Sequence, residues 1–151
     1  MLILRDCMST PVITVDSKST IYEAAKVMAE KNIESLIVEE NGNHIGIFTT
    51  KDLIKRVIAK GLDYKTHPIT EVISYPILTV DFCLTPAEAN EKMIKYNVKR
   101  LAVTEGKKIV GIISMKDLVS LRQTALQQPP CQPLWGPQPS QVIPSAVCSM
   151  N

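Results

Sequence analysis

The sequence predicts a mixed fold of the α/β (α+β) type, built from two β-α-β-β-α repeats that pack by pseudo-twofold symmetry. Residues 8–54 and 73–119 align 65 positions apart without an insertion or deletion, and 18 of the 47 aligned positions are identical. Both copies carry the same helix-capping pattern and similar β-branched runs at equivalent positions. Since a solenoid needs about three stacked units to bury a continuous core, we expect the two copies to pack face to face.

Each repeat opens with a short apolar run that follows a proline and is closed by an aspartate. The runs are residues 12–15 in the first copy and 77–80 in the second. β-Branched residues favour strands, and a proline at the start of a strand costs little because its missing N–H is not needed there. Both runs are therefore predicted to be short strands.

The helix that follows is marked by a capping box in each copy, Thr20-x-x-Glu23 and Thr85-x-x-Glu88. In this pattern the hydroxyl and the carboxylate satisfy free backbone N–H groups at the start of a helix reciprocally. Apolar residues at helical spacing then predict one buried stripe. In the first copy this stripe comprises Ile21, Ala24, Ala25 and Met28.

After Asn32 and Asn97, where these helices are predicted to end, each copy continues with two β-branched runs separated by a polar turn. The runs are residues 35–38 and 45–48 in the first copy, and 101–103 and 109–113 in the second. Such pairs are typical of β-hairpins. Helical periodicity resumes over residues 51–58 and 116–121, which completes the predicted order of elements.

The chain is expected to divide into a first repeat over residues 1–60, a linker over 61–71, a second repeat over 72–122 and a tail over 123–151. The tail has 29 residues with six prolines, six glutamines and no charge. Such a composition buries too little to offset the entropy of ordering, so disorder or loose surface packing is predicted for the tail.

Composition argues against several classes of function. A net charge of +2 is too small to indicate a nucleic-acid surface. The sequence lacks an apolar run of the roughly 18 residues that span a membrane and lacks a secretory signal, so we expect a cytoplasmic protein. The four cysteines form no C-x-x-C pair and occupy no matched positions, which argues against a zinc site or a disulfide framework.

A repeated motif at the end of each hairpin carries the candidate site. It reads Gly46-x-x-Thr49-x-x-Asp52 in the first copy, and the second copy ends in Ser114-x-x-Asp117. One interpretation is structural, because a hydroxyl followed by a carboxylate in this spacing caps a helix. The other is a nucleoside phosphate site, in which the helix start suits phosphate and the carboxylate accepts from ribose hydroxyls. The two interpretations are compatible.

With its T-P-V-I-T-V and S-Y-P-I-L-T-V openings and its Gly-x-x-(Thr/Ser)-x-x-Asp closings, the duplicated unit resembles a tandem pair of CBS domains, called a Bateman module. The resemblance covers about residues 5–122. It implies a regulatory module that is not an enzyme and needs no cofactor. Its ligand would be an adenosine derivative, such as AMP, ADP, ATP or S-adenosylmethionine, bound in clefts between the repeats. It further implies a homodimer and an effector protein that the sequence does not identify.

The resemblance also implies roles for individual residues. Asp52 and Asp117 would bind ribose hydroxyls, and Thr49 and Ser114 would reach ribose or phosphate. Each cleft would draw on both repeats, for example Thr20 beside Asp117 and Thr85 beside Asp52. The adenine would meet two positions on the backbone of the opening strands, Val12 and Ile77.

The two copies differ in charge just after the first helix, where Lys99-Arg100 in repeat 2 replaces Glu34-Ser35 in repeat 1. Members of the family that the chain resembles often place a phosphate-binding basic group here. The difference suggests unequal clefts, with the one reached by Lys99 and Arg100 preferring phosphorylated nucleotides. The alternative is that both side chains form a solvated turn.

Two further functions compete with ligand sensing. The CBS fold could serve as a structural or oligomerising module without a nucleotide. Nucleic acid could bind through Lys55, Arg56 and Lys60, although a solvated helix face is the commoner explanation for such charges. An enzyme is disfavoured, since the sequence shows neither a nucleophile with a positioned base nor a P-loop.

Overall fold

The structure, a computed structural model, describes the backbone of residues 1–126 and the side chains of residues 1–122. Repeat 1 consists of β1 (Thr14–Asp16), α1 (Ile21–Glu30), β2 (Ser35–Glu40), β3 (Asn43–Thr49) and α2, a turn of α-helix (Thr50–Asp52) that continues as a π-helix (Leu53–Ile58). Repeat 2 consists of β4 (Thr79–Asp81), α3 (Pro86–Tyr96), β5 (Arg100–Glu105), β6 (Lys108–Ser114) and α4 (Met115–Leu126). The predicted order of elements is confirmed in both copies.

Each repeat builds its own three-stranded sheet, in the order β1-β2-β3 and β4-β5-β6. The opening strand runs parallel to the middle one, and the middle strand pairs antiparallel with the third as a hairpin. β1 begins at Thr14, two residues later than predicted, because regular pairing with β2 starts where Thr14 lies opposite Ile37. β4 is shifted in the same way, with Thr79 opposite Ala102.

Both predicted capping boxes are present at the starts of α1 and α3. The Thr20 N–H donates to Glu23 Oε2 (2.8 Å) and the Glu23 N–H donates to Thr20 Oγ1 (3.2 Å). At α3 the Thr85 N–H and hydroxyl both donate to Glu88 Oε2 (each 2.8 Å). These hydrogen bonds hold the pKa of Glu88 below its ordinary value, because they favour the charged carboxylate.

Asparagines in the left-handed region follow the first helix of each repeat. Asn32 has a φ of 52° and Asn97, the C-cap residue of α3, has a φ of 51°. Asparagine tolerates this conformation better than most residues, because its short polar side chain can hydrogen-bond locally. The predicted helix ends are therefore correct to within about two residues.

Matched apolar side chains form the core of each repeat. Three of the four predicted stripe residues of α1 are buried, and Ala25 is half-buried. In the second copy, Ala89 and Met93 of α3 are fully buried at the positions equivalent to Ala24 and Met28. The sheets contribute Leu36, Val38, Phe48, Leu101, Val103 and Ile113, all at most 1% exposed.

The two repeats are joined by exchanged leading segments. Ser9 of repeat 1 pairs with Ile112 on the sheet of repeat 2, through N–H···O bonds of 2.8 and 3.1 Å. Ser74 of repeat 2 pairs with Ile47 on the sheet of repeat 1 in the same manner, with bonds of 2.9 and 3.0 Å. This reciprocal exchange produces the predicted pseudo-twofold arrangement.

The repeated glycine of the hairpin motif sits where the exchanged segment crosses. A Cβ on Gly46 would lie 3.0 Å from the Ser74 carbonyl oxygen, and one on Gly111 would lie 3.1 Å from the Ser9 carbonyl oxygen. Such separations are tighter than ordinary van der Waals contact. The close contact at each glycine is thus made by the leading segment of the other repeat.

A short 3₁₀ turn precedes the first strand of each repeat. The turn Leu4–Asp6 has its equivalent in Ile69–Glu71, within the segment expected to be a linker. The Leu4 N–H donates to the Leu84 carbonyl and the Ile69 N–H donates to the Ser19 carbonyl, both at 2.8 Å. Leu4 and Ile69 are fully buried, so each turn anchors its repeat against the other one. The tail predicted over 123–151 lies almost entirely outside the described residues.

Candidate functional site

Two clefts open between the repeats, each beside one copy of the hydroxyl and carboxylate motif. The Asp52 cleft, of about 490 Å³, lies between the end of β3 and residues 97–100 of the second repeat. The Asp117 cleft, of about 310 Å³, lies between the end of β6 and residues 11–13 and 32–36 of the first repeat. Each cleft therefore contains residues of both repeats.

In the Asp52 cleft, the carboxylate is enclosed by hydrogen-bond donors. The Thr49 N–H and hydroxyl donate to Asp52 Oδ2 at 3.0 and 2.9 Å, and the Asp52 N–H donates back to Thr49 Oγ1 at 3.2 Å. On the other oxygen, Oδ1, the Ser74 hydroxyl donates at 3.3 Å and Arg56 Nε lies at 3.5 Å. Asp52 is only 7% exposed, and its charge is compensated by these neighbours.

The Asp117 cleft repeats the capping geometry. The Ser114 N–H and hydroxyl donate to Asp117 Oδ2 at 2.8 and 2.6 Å, and the Asp117 N–H donates to Ser114 Oγ at 3.2 Å. Within the described part of the chain, Asp117 forms no ion pair within 4.0 Å of the kind that Arg56 forms with Asp52. The two carboxylates therefore share the same capping scaffold, and Asp52 in addition has Ser74 and Arg56 at its Oδ1.

The lining of the two clefts differs strongly in charge. The Asp52 cleft is lined by two acidic side chains, those of Glu34 and Asp52, and by five basic ones: Lys51, Lys55, Arg56, Lys99 and Arg100. The Asp117 cleft is lined by two acidic side chains, Glu34 and Asp117, and two basic ones, Arg100 and Lys116. An anionic ligand is thus favoured electrostatically by the Asp52 cleft.

Lys99 and Arg100, singled out by the comparison of copies, occupy different positions. Lys99 is exposed and lines the Asp52 cleft, whereas Arg100 lines both clefts. The Arg100 guanidinium pairs with the Glu34 carboxylate of the first repeat, and the Arg100 side chain is only 17% exposed. Arg100 is therefore not part of a solvated turn, which was the alternative interpretation of its position. Its ion pair with Glu34 joins the two repeats between the clefts.

Three of the residues proposed from the family resemblance lie apart from the lining of the two clefts. Thr20 and Thr85 cap α1 and α3, and Ile77 lines a third, more open depression beside the two hairpin turns. Val12 lines the Asp117 cleft as expected. Val12 and Ile77 occupy equivalent positions of the repeat, so the two clefts differ here as well.

Sequence reasoning missed Ser74 and the role of Arg56. Ser74 is identical to its mate Ser9, and both line a cleft, so the repeat itself carried that signal. The sequence pattern places Arg56 on a basic helix face, together with Lys55 and Lys60. Instead it is half-buried, and it donates to the Val72 and Ile73 carbonyl oxygens at 3.3 and 2.6 Å as well as facing Asp52.

The described residues offer little for metal or covalent chemistry. Among residues 1–122, no group of three or more His, Cys, Asp and Glu side chains could hold a metal ion. Partial burial, with the Asp6 and Asp117 carboxylates, raises the pKa of the Cys7 thiol above its ordinary value. A protonated thiol is a poor nucleophile.

No helix in the described part of the chain combines the length and apolarity that crossing a membrane requires.

Comparison with known proteins agrees with this architecture. The chain is similar to a CBS domain-containing protein of Bacillus subtilis, YhcV, with 32% identity over 115 residues that cover 76% of this chain and 81% of that protein. It is also 33% identical over 121 residues to the L-aspartate semialdehyde sulfurtransferase of Methanocaldococcus jannaschii, which covers 79% of this chain. It spans only 23% of that enzyme's length.

A solved structure with a bound ligand is among the similar ones. The CBS domain pair of protein MJ0100, in complex with 5-methylthioadenosine and S-adenosyl-L-methionine, matches with a TM-score of 0.74 and 28% identity. The match covers 82% of this chain and 98% of that one. The model of the CBS domain family matches residues 4–59 and 69–123, one match for each repeat. The chain therefore belongs to the CBS-domain family and carries two CBS domains in tandem.

Proposed function

We propose that this CBS pair is a regulatory module that binds adenosine-containing ligands in the Asp52 and Asp117 clefts. The observation that carries the proposal is the repeated junction between the third strand and the second helix of each repeat. At this junction a hydroxyl and a carboxylate line a cleft formed with the other repeat. Carboxylate oxygens can accept from the two hydroxyls of a ribose. The adenosine derivatives held by the similar CBS pair support the same class of ligand.

The charges support unequal preferences in the two clefts. The five basic side chains of the Asp52 cleft suit a ligand with phosphate groups, such as AMP, ADP or ATP. The balanced charge of the Asp117 cleft suits an adenosine derivative without phosphate, such as S-adenosylmethionine. Occupancy would act by differential affinity, because a ligand that contacts both repeats favours one relative orientation of them.

The partners of the module follow from the same proposal. No effector is identified by these residues, so occupancy would be read by another protein or by a further part of a longer chain. A homodimer is the expected assembly, and exposed apolar side chains on α2, Ile54 and Ile58, offer apolar surface for it. A regulatory role predicts that bound ATP is recovered intact after long incubation with the protein.

Thermal unfolding with a panel of AMP, ADP, ATP, adenosine and S-adenosylmethionine tests the proposal. A ligand present at about 100 times its dissociation constant should add about 2.7 kcal/mol to the free energy of unfolding for each site. Guanosine nucleotides of equal charge serve as the control for nonspecific phosphate binding. If no adenosine derivative raises the melting temperature above that control, the module has a structural role instead.

A further inference from the structure

We infer that Arg56 sets the specificity of the Asp52 cleft by competing with the ribose of the ligand for the Asp52 carboxylate. In this account a ligand must offer an anionic group to draw the guanidinium away from Asp52. The inference rests on the proposed function, and it adds a residue and a selection rule to it. Because of Arg56, the Asp52 cleft rejects neutral nucleosides and accepts nucleotides.

Arg56 is placed to make such a choice. Its Nε lies 3.5 Å from Asp52 Oδ1, and its Nη1 donates to the carbonyl oxygens of Val72 and Ile73 at 3.3 and 2.6 Å. Its side chain is 42% exposed and lines the cleft, whereas that of Asp52 is 10% exposed. Protein groups therefore contact Nε and Nη1 of the guanidinium, and the exposed remainder of the side chain is available to a ligand.

The acceptor capacity of Asp52 explains the competition. A carboxylate has about four lone-pair sites for hydrogen bonds. Two donors from Thr49 occupy Oδ2, the Ser74 hydroxyl donates to Oδ1, and Arg56 Nε forms an ion pair with the same Oδ1 at 3.5 Å. A ribose hydroxyl that binds Oδ1 therefore has to share this oxygen with Ser74 and Arg56, and Arg56 has the longer of the two contacts.

The charge of the ligand decides what this displacement costs. A neutral nucleoside that takes Oδ1 would leave the Arg56 guanidinium without its anionic neighbour in a partly buried position, which is unfavourable. A phosphate supplies a new charge-assisted partner with the geometry that arginine prefers. A phosphate can therefore replace Asp52 as the anionic partner of Arg56 at little cost in free energy. In this way the cleft discriminates between adenosine and AMP.

The second repeat has no arginine at the matching position. The residue 65 positions after Arg56 is Leu121, so the spacing from the carboxylate is the same but the charge is absent. Ribose binding to Asp117 would meet no such competitor at that position. The selection rule thus applies to one cleft alone, and it gives a physical reason for two ligand classes in one module.

Calorimetric titration of AMP and adenosine into Arg56→Met, in an Asp117→Asn background that weakens the other cleft, tests the inference. Arg56→Met should bind adenosine more tightly and AMP more weakly, so that the ratio of their affinities changes by about tenfold or more, the scale of one charge-assisted hydrogen bond. The matched control is Lys55→Met, which removes the same charge from an exposed neighbour in the cleft. It should weaken AMP without tightening adenosine.

The possible outcomes distinguish failure of the inference about Arg56 from failure of the proposed function. If Arg56→Met weakens both ligands by the same factor, or if Lys55→Met reproduces its pattern, the inference is wrong and Arg56 only fastens α2 to the segment at residues 72–73. If the parent protein binds neither AMP nor adenosine, the proposed function itself fails. Arg56→Lys, which retains the charge, should keep most of the preference for AMP. Should Arg56→Met not fold, Arg56→Gln replaces it with the same expected result.

Discussion

The Asp52 and Asp117 clefts have the same scaffold and different surfaces. Both use a hydroxyl that caps a helix and hydrogen-bonds to a carboxylate three residues later, and both receive a serine from the leading segment of a repeat. They differ in Arg56, Lys55 and Lys99, which line the Asp52 cleft only. The repeats therefore match where they must fit each other and diverge where a ligand would be distinguished.

The largest expected effect concerns the shared scaffold. Gly46→Val and Gly111→Val should each lower the free energy of unfolding by about 3 kcal/mol, because the added side chain collides with the exchanged leading segment. Urea unfolding measures the loss. Gly42→Val is the control for a glycine near no other atom, although its φ of +80° strains any substitute. Markedly different losses at Gly46 and Gly111 would contradict the equivalence of the two crossings.

The next effect separates the clefts through their carboxylates. Asp52→Asn should weaken AMP binding by about tenfold to a hundredfold, since a charged acceptor for the ribose is lost. Asp117→Asn should instead weaken S-adenosylmethionine or adenosine and leave AMP at the other cleft almost unchanged. Calorimetric titration of each variant with both ligands measures this. An equal response of both ligands to both variants would remove the distinction between the clefts.

Arg100 should have an effect in both clefts, because it lines both and pairs with Glu34. Arg100→Ala is expected to weaken AMP binding several-fold, up to about tenfold, through the lost charge. Glu34→Gln is the matched variant, since it removes the partner and frees Arg100 for the ligand, and it should strengthen AMP binding. Titrations of both variants decide the matter, and two equal AMP sites unaffected by Arg100→Ala would contradict the account.

The smallest expected effect lies away from the clefts, in the cap of α3. The folded-state pKa of Glu88 is lowered by hydrogen bonds from Thr85, so the carboxylate stabilises the fold above its ordinary pKa of 4.5. That stability is lost as the pH falls through the lower folded value. The difference in stability between the parent and Glu88→Gln should therefore shrink as the pH falls below 4.5. A difference that stays constant from pH 6 to pH 3, in roughly the window where carboxylates titrate, would contradict this.

Much of the fold could be predicted from the sequence because the signals were local. The Thr20 and Thr85 capping boxes fix helix starts within four residues of chain, and runs of β-branched residues separated by a polar turn mark the hairpins. The repeat then extended each local signal to a second copy. The exchange of Ser9 and Ser74 between the sheets could not be predicted in this way, since it depends on contacts between distant residues.

The candidate site was predictable only in part, for the same reason. Thr49, Asp52, Ser114 and Asp117 form a local motif, and the structure places each pair beside a cleft. Arg56 follows Asp52 by one helical turn, but its carbonyl partners at residues 72–73 belong to the next repeat. No spacing in the sequence identifies those partners. A helical pattern over 51–58 likewise did not distinguish the π-helix from an α-helix.

Titration of AMP into the unmodified protein at low ionic strength is the sharpest test for unequal clefts, because charge differences between the clefts are least screened there. We expect two classes of site, of which the tighter one weakens steeply when salt is added, because the Asp52 cleft has a basic lining. Two equal sites with the same dependence on salt, or no binding at all, would contradict this expectation.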